Sequence, residues 1–309
     1  MIYREFGSLG WKVSAVGMGC WNIGGQWGEM TDQQAAEIIH AAYDAGVNLF
    51  DVAEAYGNPH GTSELRLGRA LKDIRDKVYI VSKIGSWGFR QGEMIPKGTV
   101  DSIRLCGHAI CGRLQTRYVD VVLCHNGSIE DPSVYIAGFN ALMEEGFVKA
   151  YGISTNSFEV FKRFYDMSEG KCRVLELDYS LINRQPEEEL LPFCKEHGVA
   201  VLARGPLAQG ILSGKFDEKT VFTDDVRKAW SEGGAKRETF LADLAKARTA
   251  IETAATIAPE LAPAEAAIRY TISHAAAPVA IPGMTSVRQA KQNAACGNKL
   301  FTQEELKQF

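Results

Sequence analysis

No run of apolar residues in this 309-residue chain approaches the roughly 20 that a bilayer-spanning helix needs, so nothing supports a membrane span. An excess of one charge is missing too. The formal net charge of −4 gives no electrostatic reason to expect nucleic acid or an anionic membrane as a partner. Paired cysteine motifs are absent: the seven cysteines, at 20, 106, 111, 124, 172, 194 and 296, are scattered, odd in number and without a C-x-x-C pair. That pattern favours reduced thiols in a cytoplasm over a disulfide framework or a zinc site. The histidines, at 40, 60, 108, 125, 197 and 274, show neither His-x-His nor His-Glu-x-x-His spacing, which speaks against a metal-dependent hydrolase. Gly17-Met-Gly19 and Gly24-Gly25 lack G-x-G-x-x-G spacing and a following acidic strand end, which argues against a dinucleotide-binding crevice. The start, Met-Ile-Tyr-Arg-Glu-Phe-Gly, has no apolar signal segment, so export is not expected.

What the chain does have is alternation. With 46% hydrophobic residues there is material for a large core, and it falls into eight short apolar runs: 13–19, 48–51, 78–83, 119–124, 148–154, 174–179, 200–203 and 278–282. Between them lie segments with helical apolar spacing, such as Ala35, Ile38, Ile39, Ala42 and Tyr43 after the capping-box pair Thr31 and Gln34. Further helices are expected at 63–71, 100–112, 133–145, 158–167 and 187–197. Two Ala-rich helices at 238–257 and 264–273 follow an irregular stretch over 213–234, and helices at 287–295 and 302–307 end the chain. Two β-prone pieces flank Gly7 and Gly10. Eight strands alternating with helices predict one domain, 1–309: an α/β fold of the (β/α)8 TIM-barrel type, with an N-terminal β-hairpin and a C-terminal helical extension.

Four polar residues stand at the ends of these runs. Asp51 closes Val47–Asp51, Tyr56 follows in Asp-Val-Ala-Glu-Ala-Tyr-Gly, Lys83 closes 78–83, and His125 follows 119–124. The C-terminal ends of barrel strands are where active sites are built. A free tyrosine has a pKa near 10, too high for proton exchange near neutrality. A nearby ammonium is expected to lower it, and a carboxylate to keep that ammonium charged and in place. Tyr56, Lys83 and Asp51 suit that relay, and His125 can hold the oxygen of a carbonyl or alcohol. None of the four carries a hydride, so the reaction that fits requires a nicotinamide cofactor. Cys124 beside His125 reads as a small buried residue, because neighbours on a strand point to opposite faces.

Asp51–Gly57, Ser82-Lys83-Ile84-Gly85 and His125 together resemble the tetrad of the aldo-keto reductase family. So, in order, do Gly61–Leu71, Tyr151–Thr155, Asp178–Leu181, Gly205–Lys215, and Ile281-Pro-Gly283 through Gln289 to Asn293. The resemblance implies Tyr56 as general acid/base, Lys83 as its tuning partner, Asp51 as support for Lys83 and His125 as the residue orienting the substrate carbonyl. It implies NADP(H), with NAD(H) as the other possibility, lying extended across the strand ends. Trp21 would border the nicotinamide and the substrate, and Ser154 would meet the carboxamide. Pro206, Leu207 and Gln209, with Gly214 and Lys215, would line the pyrophosphate, and Arg227 would close over the phosphates. Gly283, Thr285, Gln289, Gln292 and Asn293 resemble the block of a branch that uses NADP(H).

The chain departs from the family pattern around the nicotinamide. Thr155 stands where an Asn is usual, Glu176 where a Gln is usual, and Arg204 where an aromatic stacks in many members. Glu176 can accept from an amide but cannot donate. Arg204 can stack, meet an anionic substrate or pair with Glu176. The reaction implied is reduction of an aldehyde, ketone or sugar-like carbonyl, or its reverse. An NAD-dependent aldose dehydrogenase and a channel β-subunit, a role this fold carries elsewhere, are the alternatives. Trp27, Trp87, Phe89 and Trp230 predict an aromatic-walled pocket for a small-molecule substrate, with Trp87 as a substrate contact; no feature sets an oligomeric state.

Overall fold

The computed structural model describes residues 1–88 and 95–309, so Phe89 lies outside the described residues. The chain begins with an antiparallel hairpin of β1 (Tyr3–Glu5) and β2 (Lys12–Ser14), in register Arg4 opposite Val13. The run expected over 13–19 is therefore divided. Its start belongs to this hairpin, and only β3 (Met18–Gly19) enters the main sheet.

The main sheet is parallel and runs in chain order: β3, β4 (Leu49–Asp51), β5 (Tyr79–Ile84), β6 (Val119–Cys124), β7 (Val148–Ser154), β8 (Cys172–Asp178), β9 (Ala200–Arg204) and β10 (Val279–Ala280). Bridges from Val16 to Ala280 and from Gly19 to Gly283 join the last strand to the first, closing the barrel. The helices follow the alternation: α1 (Asp32–Asp44), α2 (Thr62–Leu71), α3 (Val100–Leu114), α4 (Ser133–Glu144), α5 (Phe158–Met167), α6 (Leu190–His197), α7 (Arg237–Ile257), α8 (Pro263–Ser273), α9 (Val287–Ala295) and α10 (Gln303–Leu306). The Thr31–Gln34 capping box forms at the start of α1. The helix expected from residue 187 starts three residues later. A short 3-10 turn over Gln185–Glu187 precedes it, and the Glu187 carboxylate there accepts from the hydroxyls of Tyr179 and Tyr270.

Strand residues alternate between two cores, as a pleat of period two requires. One set, including Phe50, Ile80, Val122, Tyr151, Leu175 and Val201, packs outward in a cluster that includes helix residues. The other set, Leu49, Val81, Val121, Leu123, Ala150, Val174, Ala200, Leu202, Val279 and Ile281, meets in the barrel interior with Phe6 from the hairpin turn. Trp11 stacks on Tyr79 at 5.3 Å, so the hairpin seals the N-terminal end of the barrel. At Gly152 the register of β7 and β8 shifts, and a Cβ there would sit 1.7 Å from the Val174 carbonyl oxygen. Only glycine permits that approach.

A charged cluster sits at the N-terminal ends of the strands. Asp120, 1% exposed, accepts from Arg75 Nη2 at 2.8 Å, Lys149 Nζ at 3.0 Å and the backbone N–H of Ile80 at 2.9 Å. The two cations flank the ring of Tyr118, 4.3 and 3.9 Å from its centroid.

Candidate active site

The inward positions of the strands continue past the apolar interior, two residues at a time, into a polar layer. Leu49 leads to Asp51, Val81 to Lys83, Leu123 to His125, Val174 to Glu176 and Leu202 to Arg204, while Ala150 and Gly152 lead to Ser154. The period of two therefore explains why these residue types meet at one end of the barrel.

At the centre lies Lys83, fully buried. Its ammonium donates to Asp51 Oδ1 at 2.6 Å, Asp51 Oδ2 at 2.5 Å and the Val52 carbonyl at 3.2 Å. Glu176 Oε2 lies 3.1 Å from the same nitrogen. Glu176 Oε1 accepts from the Ser154 hydroxyl at 3.1 Å, while Oε2 is buried without a hydrogen-bond partner of its own. One cation thus serves two buried carboxylates. Burial and the neighbouring Glu176 push the Asp51 carboxyl well above the usual range, against the pull of Lys83. Burial also opposes charge on Glu176, but Lys83, the Asp51 hydrogen bond and Arg204 outweigh it and hold that carboxyl below its usual value. Lys83 is held above its ordinary value, since the two carboxylates outweigh its burial.

Tyr56 covers this cluster, with the Lys83 ammonium 5.0 Å from its ring centroid. His125 meets the Tyr56 ring edge-on at 5.9 Å, and Trp21 stacks along it at 5.8 Å. The expected lowering of the Tyr56 pKa does not hold in this structure. Burial is the largest influence, Asp51 and Glu176 add to it, and together they outweigh Lys83, pushing the phenol up to about 12. Desolvation disfavours the phenolate more than one shared ammonium favours it.

A buried glutamine ties the aromatic wall to the tyrosine loop. Gln26 Oε1 accepts from the Trp21 indole N–H at 2.7 Å and from the Gly57 backbone N–H at 3.0 Å. Trp27 meets Trp21 edge-on at 5.0 Å. Arg227 ion-pairs with Asp224 at 2.9 Å, donates to the Gln209 carbonyl and lies 5.1 Å over the Trp27 ring, so the 213–234 stretch reaches across to that wall.

From Tyr56 and His125 a cleft of about 1740 Å³ extends over the strand ends. Its wall includes Trp21, Ser154, Thr155, Glu176, Arg204, Pro206, Leu207, Gln209, Lys215 and Arg227, then Gly283, Thr285, Gln289, Gln292 and Asn293. Trp27 and Trp230 also line it. Two expected contacts lie elsewhere. Gly214 faces Pro263 and Ile251. Trp87 packs on the Arg113 guanidinium at 5.3 Å and edge-on to His60 at 5.4 Å, outside the cleft wall. Cys124 is buried in the outer core, where burial pushes its thiol up to about 12.

Asn22, Arg288 and Asn156 also line the cleft, outside the expected set of cofactor contacts. Asn22 approaches Gly283 so closely that a Cβ there would collide with its Oδ1. Arg288 lies within the Thr285–Asn293 block, the signal that could have found it. Asn156, next to Thr155, accepts from Arg204 Nη2 at 3.0 Å and from the Asp178 backbone N–H at 2.9 Å. Thr155 is turned away from that role, donating to the Gly127 carbonyl at 2.7 Å. Arg204 lies with its Nε 4.0 Å from Glu176 Oε1.

The residues present fit an extended phosphate-bearing cofactor. Ala208, Gln209 and Gly210 occupy three consecutive left-handed conformations, φ 46°, 53° and 101°. Such strain in non-glycine residues marks functional backbone, and successive amides in this kind of turn favour anions. Lys215 and Arg227 stand beside it on the same wall.

A family model described as the aldo/keto reductase family matches residues 15–309. The uncharacterized oxidoreductase YqkF of Bacillus subtilis (strain 168) is 29% identical over 307 residues, covering 98% of this chain and 94% of that protein. The holo form of the aldo-keto reductase AKR11C1 from Bacillus halodurans superposes with a TM-score of 0.80 at 27% identity, over 100% of this chain and 95% of that one. An aldo/keto reductase from Klebsiella pneumoniae, solved in complex with NADP and acetate, aligns at 26% identity with a TM-score of 0.70, over 98% and 92% of the two chains.

Proposed function

The chain belongs to the aldo/keto reductase family, and from that premise we propose that it reduces a small aldehyde, ketone or sugar-like carbonyl with NADP(H), using Tyr56 as the proton donor. The observation that carries this reading is the single layer of Asp51, Tyr56, Lys83 and His125 at one end of a phosphate-adapted cleft. When bound, the nicotinamide supplies the hydride that no side chain can provide. Ser154 and Asn156 sit on the wall nearest Glu176 and Arg204, placed to hold the carboxamide end. The Ala208–Gly210 turn, Lys215 and Arg227 would take the pyrophosphate. Arg288, Thr285 and Gln289 would take the adenosine end, where Gln289 Oε1 already accepts from Thr285.

Within the site, Trp21 and His125 wall the place beside the phenol, so a carbonyl oxygen seated there faces both the Tyr56 hydroxyl and the imidazole. The phenol remains protonated through neutral pH because it titrates near 12, which makes Tyr56 an acid in the resting protein. As its proton leaves, the Lys83 ammonium stabilises the phenolate, and Asp51 holds that ammonium by two bonds. Arg227, lying over the Trp27 ring, brings a positive charge to the groove beside the aromatic wall. The seven unpaired cysteines, six of them buried, support a reducing cytoplasmic setting.

Two measurements test the reading. Fluorescence titration should show NADPH binding by wild type and by Tyr56→Phe alike, since only a transferable proton is lost. Carbonyl reduction by Tyr56→Phe should fall by roughly a hundredfold to ten thousandfold. A wild type that binds neither NADPH nor NADH, or a Tyr56→Phe variant turning over near the wild-type rate, defeats the reading.

A further inference from the structure

Glu176 does something in this site that the four-residue relay does not require. It comes from β8, across the barrel from β5, yet it is fully buried and shares the Lys83 ammonium with Asp51. Resting on the function proposed above, we propose that Glu176 is a positioning residue of the proton relay: its carboxylate competes with the Tyr56 phenolate for Lys83, keeps Tyr56 in its protonated form and so extends carbonyl reduction, at the expense of alcohol oxidation, to high pH.

The geometry supplies the argument. Lys83 already directs two hydrogen bonds to Asp51 and one to the Val52 carbonyl, so the ammonium is engaged by fixed groups before the phenol makes any demand on it. Glu176 Oε2 adds a second carboxylate oxygen at 3.1 Å. A buried site with two carboxylates and one ammonium resists a further negative charge, and the phenolate would be that charge. The charged and titratable groups facing the pair from every side are few. Asp51 stands on β4 and Lys83 on β5, His125 follows β6, and Arg204 ends β9 at 4.0 Å from Glu176; Cys20 lies beside Asp51, its thiol driven up by burial. Of these only Arg204 offsets Glu176 besides Lys83 among the groups permanently charged. It is the more exposed partner, 41% accessible, and partly committed to Asn156, so solvent weakens its effect. Consistently, burial of Tyr56 is reinforced by both Asp51 and Glu176 in raising its pKa, with Lys83 alone among the nearby cations pulling it down. The two carboxyls titrate as a unit, with the proton favouring Asp51 and the negative charge favouring Glu176.

The test is a titration of Tyr56 itself in the cofactor-free full-length protein, by NMR of tyrosine labelled at Cζ and assigned by its loss in Tyr56→Phe. Glu176→Gln keeps the shape and can still accept from Ser154 while removing the charge. It should lower the Tyr56 titration by on the order of one pH unit. The alkaline limb of carbonyl reduction and the rising limb of alcohol oxidation should both move down in parallel. Arg204→Gln, a change at a half-exposed side chain where folding is not at stake, should move the titration upward. A Tyr56 titration that stays put in folded Glu176→Gln, or that stays put or falls in Arg204→Gln, overturns the inference. Loss of NADPH binding and reduction in the wild type would instead overturn the function it rests on, so the two failures are told apart.

Discussion

The barrel carries a buried charged cluster at each end, and their compositions are opposite. At the N-terminal end one carboxylate, Asp120, is held by two cations, Arg75 and Lys149, and by the Ile80 amide. The cations reach the surface, 14% and 46% exposed, so solvent shares their charge and the arrangement is locally complete. At the C-terminal end one ammonium, Lys83, serves two carboxylates, and neither it nor they reach bulk water except through the cleft. The first cluster leaves no demand unmet. In the second, Glu176 Oε2 has the shared Lys83 ammonium at 3.1 Å but no hydrogen bond of its own, and the phenol is held off its ordinary titration. One carboxylate on two cations is charge-complete, whereas two carboxylates on one cation are not, and the second arrangement lies at the end where barrels place catalysis.

Removing the central group of each cluster should separate these roles most strongly. Lys83→Met is expected to cost roughly a hundredfold or more in kcat, because the departing proton then leaves a phenolate with no cation beneath it. The two carboxyls should retain a proton between them, so the fold should persist. Steady-state reduction kinetics beside a thermal melt checks both parts, and a variant with wild-type kcat would break the contrast. Asp120→Ala should do the reverse. It should lower stability by about 2–3 kcal/mol, below the full cost of breaking a buried pair because its cations can turn to solvent, with kcat unchanged. The urea midpoint measures the loss, and an undiminished midpoint would show the N-terminal cluster to be ornamental. The smallest effects are expected where one of two like partners is taken away. Asp51→Asn leaves Glu176 to hold Lys83 and should cost about tenfold in kcat or less. Lys149→Met leaves Arg75 on Asp120 and should cost under about 1 kcal/mol. A Asp51→Asn loss as large as that of Lys83→Met would show that Glu176 does not share the ammonium.

The eight strands were legible because both faces of each are buried, which makes short continuous apolar runs; Asp51, Tyr56, Lys83 and His125 stood out because each closes or follows such a run, and the structure brings the four together. The boundaries that moved did so for tertiary reasons. Residues 12–14 pair with the N-terminal strand, and Glu187 is drawn into bonds with two tyrosines before α6 can start. What sequence could not convey was distance across the barrel. Glu176 and Lys83 are 93 positions apart, on strands separated by two others in the sheet, and nothing local to either predicts 3.1 Å between them. Pairing of Glu176 with Arg204 was one of three options open in the sequence, and the structure brings the two to 4.0 Å. The direction of the Tyr56 shift was misjudged for a related reason: residue identity reveals the ammonium, but only the folded environment reveals the desolvation that outweighs it. Trp87 shows the same limit, an aromatic in the right loop that turns to Arg113 instead of the cleft.

Gln26 binds the Trp21 indole and the Gly57 amide with a single oxygen. The aromatic wall at Trp21 and the loop that carries Tyr56, the proton donor proposed above, are thereby mechanically one part. Exchanging the 21–30 loop for that of a relative, the obvious route to a new specificity, would shift the seat of Tyr56 unless a glutamine came with it. Around Trp230 the link to the tyrosine loop is longer, running through Arg227 and Trp27, so changes of substrate range should disturb Tyr56 less there than in the 21–30 loop.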